Sequence, residues 1–232
     1  VVKKGESMIP RKENLRIQKF VNGLKDLFRE RLESIILYGS IARGTYVSGK
    51  SDINLIALVD SITMDDLLRM KTNLAGMAFR YAIKPVLFTP EFFASSIDAF
   101  PIEWQEIKQN HLVLYGADYT GQLEINSEHL RLCLERETKQ IYLRFQQGLI
   151  FRKDISSLLQ ESCKSLRIIL THMKKFISQG IEMPAYLDIM DDFARGRRKR
   201  LAKSEVFKLS SDHLGYLERL ISMVDGRIQG KQ

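Results

Sequence analysis

Strand-like apolar runs separated by helical periodicity fill the first half of the chain, and helical periodicity alone fills the second. Together they predict an α/β (α+β) fold, a mixed sheet with flanking helices, followed by an all-α helical bundle domain. The division is expected at residues 1–122 and 123–232. With 232 residues and 44% hydrophobic content, the chain can supply a core for each part.

Residues 13–32 place Leu15, Ile17, Phe20, Val21, Leu24, Leu27 and Phe28 on one helical stripe, with mostly charged residues opposite. Ile35-Ile36-Leu37-Tyr38 is a short β-rich run stopped by Gly39, and residues 53–59 form a second apolar run beyond the loop 44–51. Thr63 is a helix-cap candidate, followed by Asp65 and Asp66 in the first turn and apolar periodicity to Ala78. Residues 82–89 read as a third strand whose Pro85 suits an edge or a strand start, with Pro90 ending it. After a mixed stretch around Phe100 to Trp104, residues 111–115 give a fourth strand. Helices are then expected at 127–152, 155–179, 184–193 and 212–228, with Gly180 and Gly196 as breakers.

Lys and Arg number 36 against 28 Asp and Glu, a formal charge of +8 that favours polyanionic partners without naming one. Cys133 and Cys163 lack metal-ligand spacing and read as thiols of a reducing compartment. No apolar run has the length of a membrane span, and residues 1–13 are polar, unlike a secretory signal. The expectation is a cytoplasmic protein without a membrane partner. The sequence leaves the oligomeric state open.

A strand ending in Gly39-Ser40 and turning through Ile41-Ala42-Arg43-Gly44 can present backbone amides and a hydroxyl at a helix start, which is an anion site. Alone, this dipeptide is ordinary turn chemistry. Its weight comes from Asp52, twelve residues after Ser40, which opens an apolar strand. Strand alternation puts Asp52 and Asn54 on one face, with Ile53 and Leu55 on the other. A polar pair beside a phosphate loop is what metal-assisted nucleotidyl transfer needs.

Through Tyr38, Gly39, Ser40, Arg43, Gly44, Ser51, Asp52 and Asn54, the chain resembles the DNA polymerase beta-like nucleotidyltransferase superfamily: an apolar strand, Gly-Ser, about a dozen residues, then Asp-x-Asp. The resemblance implies a minimal nucleotidyltransferase-like domain. It assigns nucleotide phosphates to Gly39 and Ser40 and divalent metal, Mg²⁺, to Asp52, with Asn54 at the second metal position; Arg43 and Lys50 can contact phosphate from the loop, weighed against solvated surface charge. Residues 100–118 are similar to the segment that follows this domain in bacterial nucleotidyltransferase-like proteins with helical C-terminal halves.

Two departures bear on activity. Asn54 stands where the family has a second aspartate; its carboxamide oxygen can bind Mg²⁺ but adds no charge. The family's third acid, often the base for the acceptor hydroxyl, falls on a later strand, yet residues 82–89 hold no carboxylate and carry Lys84-Pro85. Glu91, just past that run, is the candidate base, with Asp98 and Glu103 as other acids able to fold back.

The expected function is binding of a nucleoside triphosphate with Mg²⁺, on a weak or single site, and nucleotidyl transfer to an unidentified acceptor. The alternative is a catalytically degenerate nucleotide-, nucleic-acid- or protein-binding regulatory protein. Arg197, Arg198, Lys199 and Arg200 are the candidate nucleic-acid or protein contact, weighed against a solvated turn because no aromatic residues interleave them. Arg167 and His172 approximate the Arg-x4-6-His ribonuclease motif of helical toxins, but Ile168 replaces the polar residue expected after the arginine, which favours ordinary surface placement. His111, His129 and His213 lack metal-ligand spacing and read as solvent or core residues.

Overall fold

The computed structural model describes residues 9–121, 123–176, 181–194, 196–197 and 201–229. The chain forms two compact units, Val1–Asn126 and Ser127–Gln232. The first holds a four-stranded sheet of β1 (Leu32–Tyr38), β2 (Ile53–Val59), β3 (Ile83–Phe88) and β4 (His111–Gly116), in the order β3-β2-β1-β4. β1 pairs antiparallel with both β2 and β4, whereas β2 and β3 run parallel. Helices α1 (Arg11–Phe28), α2 (Met64–Asn73), α3 (Ala75–Tyr81), α4 (Pro90–Ser95) and α5 (Pro101–Gln109) flank it, with a 3-10 turn at Arg29–Arg31. This is the mixed sheet with flanking helices that the hydrophobic pattern predicts.

Alternation along the strands divides the sheet into two covered faces. Ile35, Leu37, Ile53, Leu55, Ala57 and Val59 face α1, whose Ile17, Phe20, Val21, Leu24 and Phe28 are buried against them. Full burial of each such side chain contributes roughly 1.5–3 kcal/mol. Leu15, counted in that stripe from the sequence, stands 60% exposed instead. The opposite face carries Ile36, Ile56 and Leu58 beneath Phe93, Trp104 and Ile107.

Thr63 caps α2 in a reciprocal capping box: its hydroxyl accepts from the Asp66 amide, and the Asp66 carboxylate accepts from the Thr63 amide. The expected single helix from 63 breaks at Leu74 into α2 and α3. Pro85 lies on an edge strand, where its missing N–H costs no ladder bond. Pro90 begins α4 at its first position rather than merely stopping β3. The stretch read as mixed folds as α5, whose Pro101 sits in the first turn and whose Ile102, Trp104 and Ile107 are buried.

The second unit contains α6 (Ser127–Phe151), α7 (Ile155–Phe176), α8 (Tyr186–Ala194) and α9 (Lys203–Gln229). α9 starts nine residues before the expected 212. The run Ser210-Ser211-Asp212 resembles a cap, but Val206 and Leu209 continue the buried stripe of Leu217, Leu220 and Val224. The expected end of α7 at 179 and the breaker Gly180 lie outside the described residues. At the centre of this unit His213 is fully buried. Its Nε2 lies 2.7 Å from the Ser162 hydroxyl and its Nδ1 3.0 Å from the Tyr186 hydroxyl, with Phe145 packed edge-on. Burial lowers its pKa to about 4 and pushes the adjacent Cys163 thiol up to about 12. His213 is therefore a core residue.

Candidate functional site

β1 ends at Tyr38, and Gly39 turns the chain with φ +83°. That conformation costs a residue with a side chain energy that glycine avoids. The space is also taken: a Cβ at position 39 would lie 2.8 Å from the Asn54 carboxamide nitrogen. The following loop closes on itself through the Arg43 amide to the Gly39 carbonyl (3.0 Å), Gly44 to Ile41 (3.4 Å) and Thr45 to Ser40 (2.9 Å). No helix follows Ser40, contrary to expectation; residues 39–44 are a compact turn. These bonds leave the amides of Ser40, Ile41 and Ala42 outside the turn's own hydrogen bonding.

Strand register builds the rest. Tyr38 pairs with Asn54 on one side and His111 on the other, and Asn54 pairs with Lys84. Laterally paired residues project to the same face. Lys84, Asn54, Tyr38 and His111 thus form one row across the sheet at the end where the Gly39–Ser40 turn lies. Asp52, exposed, immediately precedes β2, and the alternation of the strand carried one residue back puts it on the side of Asn54. Burial raises the pKa of the Tyr38 phenol, so it remains a neutral hydroxyl. His111 is committed: Nδ1 lies 2.9 Å from the Ile107 carbonyl and Nε2 3.2 Å from Asp118. Burial opposes the Asp118 charge, yet the Gly121 amide, His111 and Thr120 hold its carboxyl below the usual range.

The structure therefore sets the Gly39–Ser40 turn against Asn54, two residues after Asp52, and separates two other expected site residues from them. Glu91 follows β3, whose last residue Phe88 pairs with Leu58, whereas Asn54 pairs with Lys84 at its start. Because β2 and β3 are parallel, the strand that begins beside Asn54 must end away from it, about 13 Å along the sheet at roughly 3.3 Å per residue. Glu91 stands at the wrong end for a base, on the side of Tyr119, whose phenol hydrogen-bonds Glu33 and is kept protonated chiefly by that bond and by burial. Arg43 turns to Glu106 of α5, with Nη1 2.7 Å from the carboxylate. A phosphate contact by Arg43 competes with that pair.

Two residues at this end of the sheet escaped the sequence reading. Glu106 is the carboxylate that α5 carries to the Gly39–Gly44 turn. Glu13, on the nominally polar side of α1, is 2% exposed and accepts a 3.0 Å hydrogen bond from Ser48, tethering the loop before Asp52. A signal for Glu13 exists only in its position one turn before the buried Ile17. Outside the site, Arg167 pairs with Asp188 (2.9 Å) and Asp191 (3.3 Å) of α8, which ties it to structure. Arg197 lies 3.3 Å from Asp192, while the rest of the basic segment, residues 198–200, lies outside the described residues.

Among the described residues no group of three or more His, Cys, Asp or Glu side chains is placed to hold a metal ion. The donor set at this site is one carboxylate, Asp52, and one carboxamide, Asn54, with a lysine in the adjoining register position. Such a set fits one Mg²⁺ whose other ligands are phosphate oxygens and water. It does not fit a pair of ions.

A glycine turn facing an acid-led strand of a mixed sheet is the arrangement that marks the nucleotidyltransferase class. The chain belongs to the nucleotidyltransferase superfamily: it is 34% identical over 86 residues, 37% of this chain and 83% of the relative, to a provisionally named protein adenylyltransferase of Methanocaldococcus jannaschii. A second protein of that organism, with the same provisional name, is 29% identical over 82 residues, 35% of this chain and 79% of the relative. No family model matches. The spectinomycin adenyltransferase of Enterococcus faecialis, solved with ATP and spectinomycin, superposes over 94% of this chain and 98% of its own at TM-score 0.47 and 10% identity. So loose a superposition transfers no site detail. No helix among the described residues is long and apolar enough to cross a membrane.

Proposed function

We propose that the first unit binds a nucleoside triphosphate with a single Mg²⁺ and transfers its nucleotidyl group to an acceptor hydroxyl. The observation that carries this reading is the close approach of Gly39 to the Asn54 side chain, with no room for a Cβ between them, which seats the Ser40 turn against the strand led by Asp52. Ser40 and the turn amides face the phosphates; Asp52 and Asn54 hold the ion, which supplies charge neutralisation when bound. In the transfer the acceptor oxygen bonds to the α-phosphorus, the bond to the bridging oxygen breaks, and pyrophosphate leaves while the acceptor proton passes to water. The names of the archaeal relatives make ATP the first donor to test and a protein hydroxyl the first acceptor class.

The test is calorimetric titration with ATP, CTP, GTP and UTP, with Mg²⁺, on wild type and Asp52→Ala. It is paired with label transfer from α-phosphate-labelled ATP to the protein itself and to a mixed protein substrate. Saturable binding that Asp52→Ala weakens about tenfold, together with incorporated label, is expected. Triphosphate binding indifferent to Asp52 would overturn the site assignment.

A second reading has its own observation. The base expected at Glu91 is at the other end of the sheet, and Lys84 stands in register with Asn54. Both favour a protein that holds a nucleotide without turning it over. Binding with no label transfer, unchanged by Asn54→Asp, selects this reading.

A further inference from the structure

The Asn54–Lys84 pairing disagrees with the two-ion centre that the superfamily resemblance implies. From it we infer that Lys84 replaces an ion: its ammonium contacts the triphosphate, so that nucleotide binding persists without divalent metal. The inference rests on the nucleotide-binding reading above. Parallel neighbours in register lie about 4.8 Å apart and project to one face. Lys84 is exposed between the buried Ile83 and the half-buried Pro85. β3 is the outer strand, so the lysine stem has solvent on one side and Asn54 on the other. Its four-carbon stem gives the ammonium freedom to reach a phosphate lying across Asn54 and Ser40.

Charge bookkeeping points the same way. At the β2–β3 edge Asp52 contributes one negative charge and Lys84 one positive, while Asn54 and the Tyr38 phenol are neutral; Arg43 is matched by Glu106 and Glu13 by Arg16, and the Asp118 carboxylate lies at the far, β4 end of the row on His111. A centre built for two dications carries several negative charges and repels a naked triphosphate. This one is close to neutral, so it attracts dications weakly and tolerates a polyanion. A carboxylate at position 84 would reverse both preferences. An edge lysine also discourages sheets from pairing edge to edge. That role leaves nucleotide affinity unchanged, which makes the two separable.

The experiment is calorimetric titration of the full chain with ATP, in Mg²⁺ and in EDTA, for wild type, Lys84→Gln, Lys84→Asp and the exposed α1 control Lys19→Gln. Thermal melts confirm that each variant folds. Wild type should lose no more than about tenfold in affinity on moving to EDTA. Lys84→Gln should lose about tenfold in EDTA and less in Mg²⁺. Lys84→Asp should bind only with Mg²⁺, and Lys19→Gln should match wild type. Wild-type binding that vanishes in EDTA, or Lys84→Gln and wild type binding equally there, overturns the inference and leaves the nucleotide reading standing. No ATP binding in either buffer overturns both.

Discussion

Replacing Gly39 by alanine tests whether the site is built as described. Alanine at φ +83° pays roughly 1–2 kcal/mol for the left-handed conformation. Its Cβ would also fall 2.8 Å from the Asn54 carboxamide nitrogen, inside contact distance. Asn54 is the end of a rotatable side chain, so it should swing aside at a further cost of about 0.5–1 kcal/mol. The sum, about 2 kcal/mol, corresponds to a melting shift of about 8 °C for a unit of this size. The assay is the fluorescence of Trp104, the chain's one tryptophan, which is 3% exposed and lies in the first unit. In an Asn54→Ala background the contact cost disappears, so Gly39→Ala should cost about 0.5–1 kcal/mol less than in wild type. Nucleotide affinity in Mg²⁺ should fall about tenfold in the single variant, because Asn54 has moved, equivalent to about 1.4 kcal/mol. A Gly39→Ala protein that melts within 1 °C of wild type and binds ATP unchanged would refute both the backbone conformation and the placement of Asn54.

Three further outcomes are expected. His213, buried and neutral with its pKa lowered to about 4, binds its proton more weakly folded than unfolded. Its contribution is complete above the unfolded value near 6.5 and declines as pH falls towards 4, by about 3 kcal/mol in all. Urea unfolding followed by ellipticity at 222 nm should show this slope, and His213→Gln should flatten it; an unchanged slope in the variant would assign the acid sensitivity elsewhere. Asp66 is 2% exposed beneath Arg31 and Thr63, and the Arg31 hydrogen bond holds its carboxyl well below the usual range, so its share of stability is lost only below about pH 4. Asp66→Asn should lower first-unit stability by about 2 kcal/mol in urea unfolding at pH 7, and a loss under 0.5 kcal/mol would contradict the pairing. In α6, a Cβ at Gly148 would meet the Leu158 side chain at 2.4 Å. Overpacking of about 1–3 kcal/mol then exceeds the roughly 1 kcal/mol helix gain of alanine, so Gly148→Ala should lower rather than raise the melting temperature.

Much of the local architecture was legible because its causes are local. The stripe of α1, the Thr63 cap with Asp66 three residues on, and the alternation of Asp52 and Asn54 each depend on residues within one or two turns. The short helix α5 was not legible: nine residues give too few periods to separate a helix from an irregular stretch. The early start of α9 was hidden by Ser210-Ser211-Asp212, whose preference for caps gave way to the burial of Val206 and Leu209.

By itself the sequence determined that Gly39-Ser40 would close one strand and Asp52 would open the next; that the loop 39–52 returns the chain antiparallel beside β1 was decided by pairing, since a loop of that length does not fix it. The sequence also determined that Asn54 would share a face with Asp52. Only the tertiary structure decided which other side chains meet them. Strand direction and register arise from contacts between distant segments: the parallel pairing of β3 with β2 carries Glu91 away and sets Lys84 beside Asn54, and the packing of α5 delivers Glu106 to Arg43. Whether an acid or a lysine completes the site is therefore a property of the sheet and not of the motif.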